Sequence, residues 1–168
     1  MAEPGRTPAS ASRSGAKLAP AVLDGGFGQH KWLDRRLVDP PKGRREEWLI
    51  VDADATMLET ARGNFFFVER GALLTAPADG RILPGVSRDR VLDLAQSLGI
   101  PVAIGDSSLS RLQDADEAFV TSSIRGAQWV SECVGVRRWP RPGRITSALC
   151  AALARCWEQD AGQPRILF

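Results

Sequence analysis

Lysine is nearly missing from this sequence. Only Lys17, Lys31 and Lys42 occur, and arginine supplies the rest of the basic complement. A lysine placed by chance is therefore uncommon, which raises the interest of Lys31. Histidine occurs once, at His30, with no serine or cysteine motif beside it to serve, so a nucleophilic triad is not expected. The three cysteines, Cys133, Cys150 and Cys156, show neither a CxxC pair nor zinc spacing. No metal site is expected from them, and reduced thiols in a cytoplasm are the simplest reading. No apolar run approaches the length of a membrane span, and no secretory h-region is present. A formal charge of +2 is too small to argue for nucleic acid. Gly25-Gly26-Phe27-Gly28 is completed neither to GxGxxG nor to a P-loop, so nucleotide binding is discounted. There is no internal repeat.

What is present is a chain of 168 residues, enough for one domain with a real core. Residues 1–24 are rich in Ala, Ser, Pro, Gly and Arg with little apolar periodicity, and are expected to be a disordered tail; the same composition is that of an organelle transit peptide. The folded domain is expected over 25–168. Lys31 to Val38 reads as a short helix ended by Pro40-Pro41. Strands are expected at Trp48–Val51, Met57–Thr60, Asn64–Val68 and Ala72–Thr75, in a run of hairpins. Ser87 caps a predicted helix through Leu98, with Val91, Leu92, Leu94, Ala95 and Leu98 as its apolar stripe and Gly99 as its stop. Beyond it come a strand at Pro101–Ile104, a short helix at Ser110–Ala115, and strands at Glu117–Thr121 and Ala127–Val130. A last helix is capped by Thr146 or Ser147 and runs to about Trp157. Hairpins with a few covering helices make a mixed α+β fold.

Several side chains could carry chemistry. Lys31 offers a primary amine, which desolvation and a neighbouring cation can make nucleophilic; read alone, it is a solvated lysine at a helix start. Glu59 lies at a strand end in an otherwise apolar stretch. Pro84-Gly85-Val86-Ser87 opens a helix whose free N–H groups and dipole suit a phosphate, and Gly85 permits close backbone approach. Thr121-Ser122-Ser123 follows a strand, where small polar residues commonly make only a turn. Arg125 is a candidate clamp for a substrate carboxylate through two hydrogen bonds, with a surface arginine as the alternative. Arg137, Arg138, Arg141 and Arg144 lie in a Pro/Gly loop without a nucleic-acid-binding module and read as a solvated loop.

Taken together, Gly28-Gln29-His30-Lys31-Trp32-Leu33-Asp34-Arg35, Glu59 to Val68, Gly80 to Leu94 and Ala115 to Val130 resemble the C-terminal half of a class IV (fold type IV) aminotransferase, most closely the aminodeoxychorismate lyase branch. The resemblance implies the C-terminal pseudo-barrel domain of that fold and pyridoxal 5'-phosphate as cofactor. It implies Lys31 as the Schiff-base lysine, Glu59 as partner of the pyridine nitrogen and Asn64 as its support. Gly85, Val86 and Ser87 would receive the phosphate, with Ser123 adding a hydroxyl and Ser122 close by. The family's separate N-terminal domain has no counterpart ahead of Lys31, so a homodimer or a complementary N-terminal domain is the expected partner of this chain, besides a small amino substrate. Three activities stay open: release of pyruvate from 4-amino-4-deoxychorismate to give 4-aminobenzoate for folate synthesis, transamination of a branched-chain or D-amino acid, and an inactive or split half. The Lys31-Trp32-Leu33-Asp34-Arg35 wording favours the lyase.

Overall fold

The run Phe65-Phe66-Phe67-Val68 is apolar without interruption, and a strand can be so only if both of its faces are buried. The computed structural model, which describes residues 14–32, 34, 38–39 and 43–162, shows two separate cores meeting at this strand. Phe65 and Phe67 point into one cluster with Leu18, Leu49, Val51, Met57, Val120 and Val130. Phe66 and Val68 point into another with Val91, Ala95, Phe119, Leu149 and Leu153. Phe66 and Phe119 stack with ring centroids 4.9 Å apart.

The elements in chain order are β1 (Ala16–Val22), β2 (Glu47–Val51), β3 (Met57–Thr60), β4 (Gly63–Glu69), β5 (Ala72–Thr75), α1 (Val86–Ser97), β6 (Val102–Ile104), a 3-10 helix (Leu109–Gln113), β7 (Glu117–Ser122), β8 (Gly126–Cys133), β9 (Arg137–Arg138) and α2 (Arg144–Gly162). The sheet runs β3-β2-β1-β8-β7-β4, and β3 also pairs with β4, so these six strands close a barrel. The first cluster draws on all six and fills its interior. β5 and β6 extend the sheet from β4, and α1 and α2 cover the second cluster. Among the described residues no helix is long and apolar enough to cross a membrane.

The mixed fold and the hairpins follow the sequence; several local expectations are corrected. Residues 16–22, read as part of a disordered tail, form β1, parallel to both β2 and β8. Alanine and proline give no strand signal, yet Pro20 is tolerated because β8 pairs only Ala16 to Leu18, and its missing N–H costs no ladder bond there. Lys31, Trp32 and Asp34 are not helical, while Pro40-Pro41 lies outside the described residues. Gly85, not Ser87, is the N-cap of α1, with no side-chain cap, and Ser87 is buried in the first turn. Leu98 of the expected apolar stripe is exposed. Ser110–Ala115 is replaced by the tighter 3-10 helix.

α2 begins at Arg144, ahead of Thr146 and Ser147. Its first amides are satisfied from a distance: Ile145 and Thr146 donate their N–H groups to the Glu117 carboxylate at 3.0 and 2.6 Å. Of the arginine cluster, Arg137 and Arg138 form β9, Arg137 donating to the Gln113 carbonyl and Arg138 to Glu132.

Candidate active site

One end of the barrel carries three turns side by side: β3 to β4, β7 to β8, and the loop from β5 into α1. Pairing of Glu59 with Asn64 across β3 and β4, and of Asn64 with Thr121 across β4 and β7, fixes their order. Between them opens a cleft of about 670 Å³.

The cleft is organised around Leu83. Its N–H donates to both oxygens of Glu59, at 3.2 and 3.3 Å, and its carbonyl accepts the Asn64 side-chain amide at 2.9 Å. Asn64 also reaches Glu59 at 3.5 Å. Both backbone groups of Leu83 are thus held by side chains of the β3–β4 hairpin, which aims the following Pro84-Gly85 into α1. Gly85 is required: a Cβ there would collide with Asn64 Oδ1. Glu59 is buried, and burial pushes its pKa up to about 8, with the Leu83 amide pulling the other way. An acid so placed is ready to hold or give up a proton near neutral pH.

Ser87 is buried in the first turn of α1 and Val86 is 83% exposed; both line the cleft. Facing them come Thr121, Ser122, Ser123, Ile124 and Arg125. The Thr121 hydroxyl is buried on this wall and has no hydrogen-bond partner among the described residues. Ser122 Oγ accepts the Arg125 N–H at 3.1 Å and shapes the turn. The Arg125 side chain is half exposed and lies 3.8 Å from Glu47.

Lys31 reaches the cleft from a loop, beside His30 and Trp32. That loop is tied down before Lys31. Gly25 donates its N–H to Asp52 at 2.9 Å, and Gly28 donates to the Arg81 carbonyl at 3.2 Å. Gly26 sits at φ +67°, where a Cβ would collide with Arg81 and Leu58. Arg81 in turn bonds Asp52 at 2.9 Å and Asp79 at 2.8 Å. The Arg81 hydrogen bond, followed by the Gly25 and Ala53 amides, holds the Asp52 carboxyl down to about 2. Trp32 Nε1 closes the loop on the Phe27 carbonyl at 2.7 Å.

Every residue that the sequence singled out for this site, namely Lys31, Glu59, Asn64, Gly85, Val86, Ser87, Ser122, Ser123 and Arg125, lines this one cleft. The profile of Amino-transferase class IV matches residues 42–133, more than half of the chain. The chain belongs to the class IV amino-transferases. It is 38% identical over 74 residues to D-alanine aminotransferase of Listeria monocytogenes, a stretch covering 44% of this chain and 26% of that enzyme. Its fold superposes on 4-amino-4-deoxychorismate lyase from Pseudomonas aeruginosa with a TM-score of 0.71 at 25% identity, over 84% of this chain and 55% of that one. It also superposes on the T.th. branched-chain amino acid aminotransferase complexed with N-(5'-phosphopyridoxyl)-L-glutamate, with a TM-score of 0.72 at 22% identity, over 83% and 50% of the two chains. This class IV chain therefore spans about half the length of the solved structures it matches.

Two residues of the cleft, Thr121 and Arg62, and one behind its Lys31 loop, Arg81, receive no role of their own from the sequence. Thr121 stands one place before the serines that draw attention; its pairing with Asn64 puts it on the wall. Arg62 occupies the β3–β4 turn and lines the cleft as well. Arg81 acts through the Lys31 loop, a link that only the folded chain makes visible.

Proposed function

We propose that this chain carries the cofactor-binding part of a pyridoxal 5'-phosphate-dependent enzyme, with Lys31 as its reactive amine. The observation that carries the reading is the convergence of Lys31, Glu59, Asn64, the α1 start and the Ser122–Ser123 turn on one cleft. The cleft fits the cofactor in three respects. The α1 N-terminus has no side-chain cap, so its first amides remain available to a phosphate. Thr121 offers a buried hydroxyl that lacks a partner among the described residues. Glu59, an acid with a raised pKa, suits a pyridine nitrogen that must share or receive a proton.

When bound, the cofactor supplies an electron sink for charge developing at the substrate α-carbon. Lys31 Nζ would hold the cofactor and, when free, would accept the α-carbon proton of the substrate as general base. Asn64 holds Leu83 and Glu59 in register, and Gly85, lacking a side chain, would let a phosphate approach the backbone.

The favoured activity is lysis of 4-amino-4-deoxychorismate, supported by the wording around Lys31 and by the likeness to the Pseudomonas aeruginosa lyase. In that reaction Lys31 also returns a proton to the departing pyruvate fragment. Transamination is the second reading, favoured by the identity to D-alanine aminotransferase. A partner that covers the cleft is part of the proposal, whether a second copy or a complementary domain: Val86 and Ile124 at its rim are 83% and 84% exposed, and Trp32 beside them is exposed as well. We place the domain at 25–168 together with β1, in a cytoplasm that keeps the cysteines reduced.

The deciding experiment is a visible absorbance titration of the purified chain with pyridoxal phosphate, run beside Lys31→Ala. A saturable band that vanishes in Lys31→Ala, with borohydride reduction and peptide mapping placing the adduct on Lys31, is the expected result. A band that survives the substitution, or none at all, refutes the reading.

A further inference from the structure

The cleft carries two guanidinium groups that cofactor binding does not employ. Arg62 sits in the β3–β4 turn and Arg125 in the β7–β8 turn. Register brings these turns together: Thr60 pairs with Gly63, Asn64 with Thr121, and Ser122 with Gly126. Gly63 packs so tightly on the Thr121 carbonyl that a Cβ would collide with it, so the two turns rise as neighbours at one end of the barrel. Both arginines line the same cleft, and both flank a narrow crevice floored by Glu47 and Thr60.

Each is tethered but not consumed. Arg62 Nη2 lies 3.2 Å from Asp39 Oδ1, and Arg125 Nη1 lies 3.8 Å from Glu47 Oε2. Glu47 spends its other oxygen on the Thr60 hydroxyl at 2.6 Å. The arginine side chains keep 46% and 48% of their surface. A guanidinium has five donors in one rigid plane, so a single tether orients it and leaves a two-donor edge for an incoming carboxylate. Lys31 adds a third cation to this cleft, whereas the acid at its centre, Glu59, is buried against Leu83 and Asn64. With the Asp39 and Glu47 carboxylates counted against the two arginines they tether, Lys31 leaves this set of groups one positive charge in excess, which favours an anionic substrate.

We infer that Arg62 and Arg125 form a paired carboxylate receptor on the cleft rim, which selects amino substrates bearing two carboxylates over those bearing one. This inference rests on the reading of the cleft as the substrate site, and Arg62 is its new specificity-determining residue.

The test needs no cofactor. The full ¹⁵N-labelled chain is titrated with glutarate and separately with butyrate, following the indole N–H of Trp32, which lines the same cleft. Glutarate is expected to bind about ten-fold more tightly. Arg62→Met and Arg125→Met should each bring the two affinities close together, with Arg62→Lys intermediate because it keeps the charge and loses the fork. Thermal unfolding of each variant confirms that it is folded. Equal binding of the two acids, absence of saturable glutarate binding, or a preference that survives both methionine substitutions overturns the inference. So does a parallel loss of inorganic phosphate binding in both variants, which would assign the arginines to a phosphate. A missing Lys31 band with an intact glutarate preference refutes the cofactor reading alone; a normal Lys31 band with no preference refutes the receptor alone.

Discussion

Gly85 stands so close to the side-chain amide of Asn64 that any Cβ at residue 85 would collide with Asn64 Oδ1. Its backbone, at φ −79° and ψ 132°, is ordinary for any residue, so the requirement for glycine is one of space and not of torsion. Gly85→Ala should therefore destabilise the chain by overpacking, by about 1–3 kcal/mol in urea unfolding. In the double variant Asn64→Ala/Gly85→Ala the cost should be clearly less than the sum of the two single ones, because the colliding amide is gone. Additive costs would show that the two residues do not meet.

Glu59 makes stability depend on pH in a definite direction. Its folded pKa of about 8 stands above the ordinary 4.5, so between those values the folded chain binds more protons than the unfolded one. Stability then falls as pH rises from about 4.5 to about 8, at a slope on the order of 1 kcal/mol per pH unit at most. Glu59→Gln should flatten that slope while leaving the low-pH stability nearly unchanged. Urea midpoints measured across this range check the sign; a slope that Glu59→Gln leaves intact would locate the titration elsewhere.

The start of α2 hangs on a carboxylate from β7. Glu117 accepts the amides of Ile145 and Thr146, and a Cβ at Gly143 would collide with that same carboxyl. Glu117→Ala should cost about 1–3 kcal/mol through the buried amides left unpaired. Gly143→Ala should destabilise as well, and amide exchange at residues 145 and 146 should quicken in both. Protection unchanged at these two amides would contradict the capping role.

Arg81 and Asp52 hold the loop that delivers Lys31. In Arg81→Gln the amides of Gly25 and Gly28 should exchange about ten-fold faster, while those of β4 keep their protection. Under the proposed function, the visible band at Lys31 should then form with weaker affinity but at the same wavelength. Identical exchange at both glycines would show that the loop stands without Arg81.

The parts of the site legible in the sequence are those written in short contiguous stretches. Glu59 to Val68 makes a hairpin within ten residues, and Pro84-Gly85-Val86 announces a helix start by local chemistry alone. Features that depend on distant strands are not legible. The Thr121 hydroxyl, without a partner among the described residues, acquires meaning only through pairing of β7 with β4. Arg62 enters the site because its turn lies beside that of Arg125. Ser87 reads as a cap because capping is normally local, yet the N-cap of α1 is Gly85, which offers no side chain to its first amides. Likewise the cap of α2 is Glu117, more than twenty residues away. β1 stays hidden because Ala16-Lys17-Leu18-Ala19-Pro20 has poor strand propensity, and burial between β2 and β8 overrides it.

That strand bears on any attempt to trim the protein. Composition invites an expression boundary near Leu23, yet removing the preceding residues would leave β2 and β8 facing each other across a gap one strand wide. Both would then bare a row of unpaired amides and carbonyls, the arrangement that recruits strands from other molecules. Leu18, at the middle of the interior cluster, would leave its place open to water. A shortened chain should thus be recovered as aggregates, or as assemblies that borrow a strand from one another, even though every residue named in the cleft were still present.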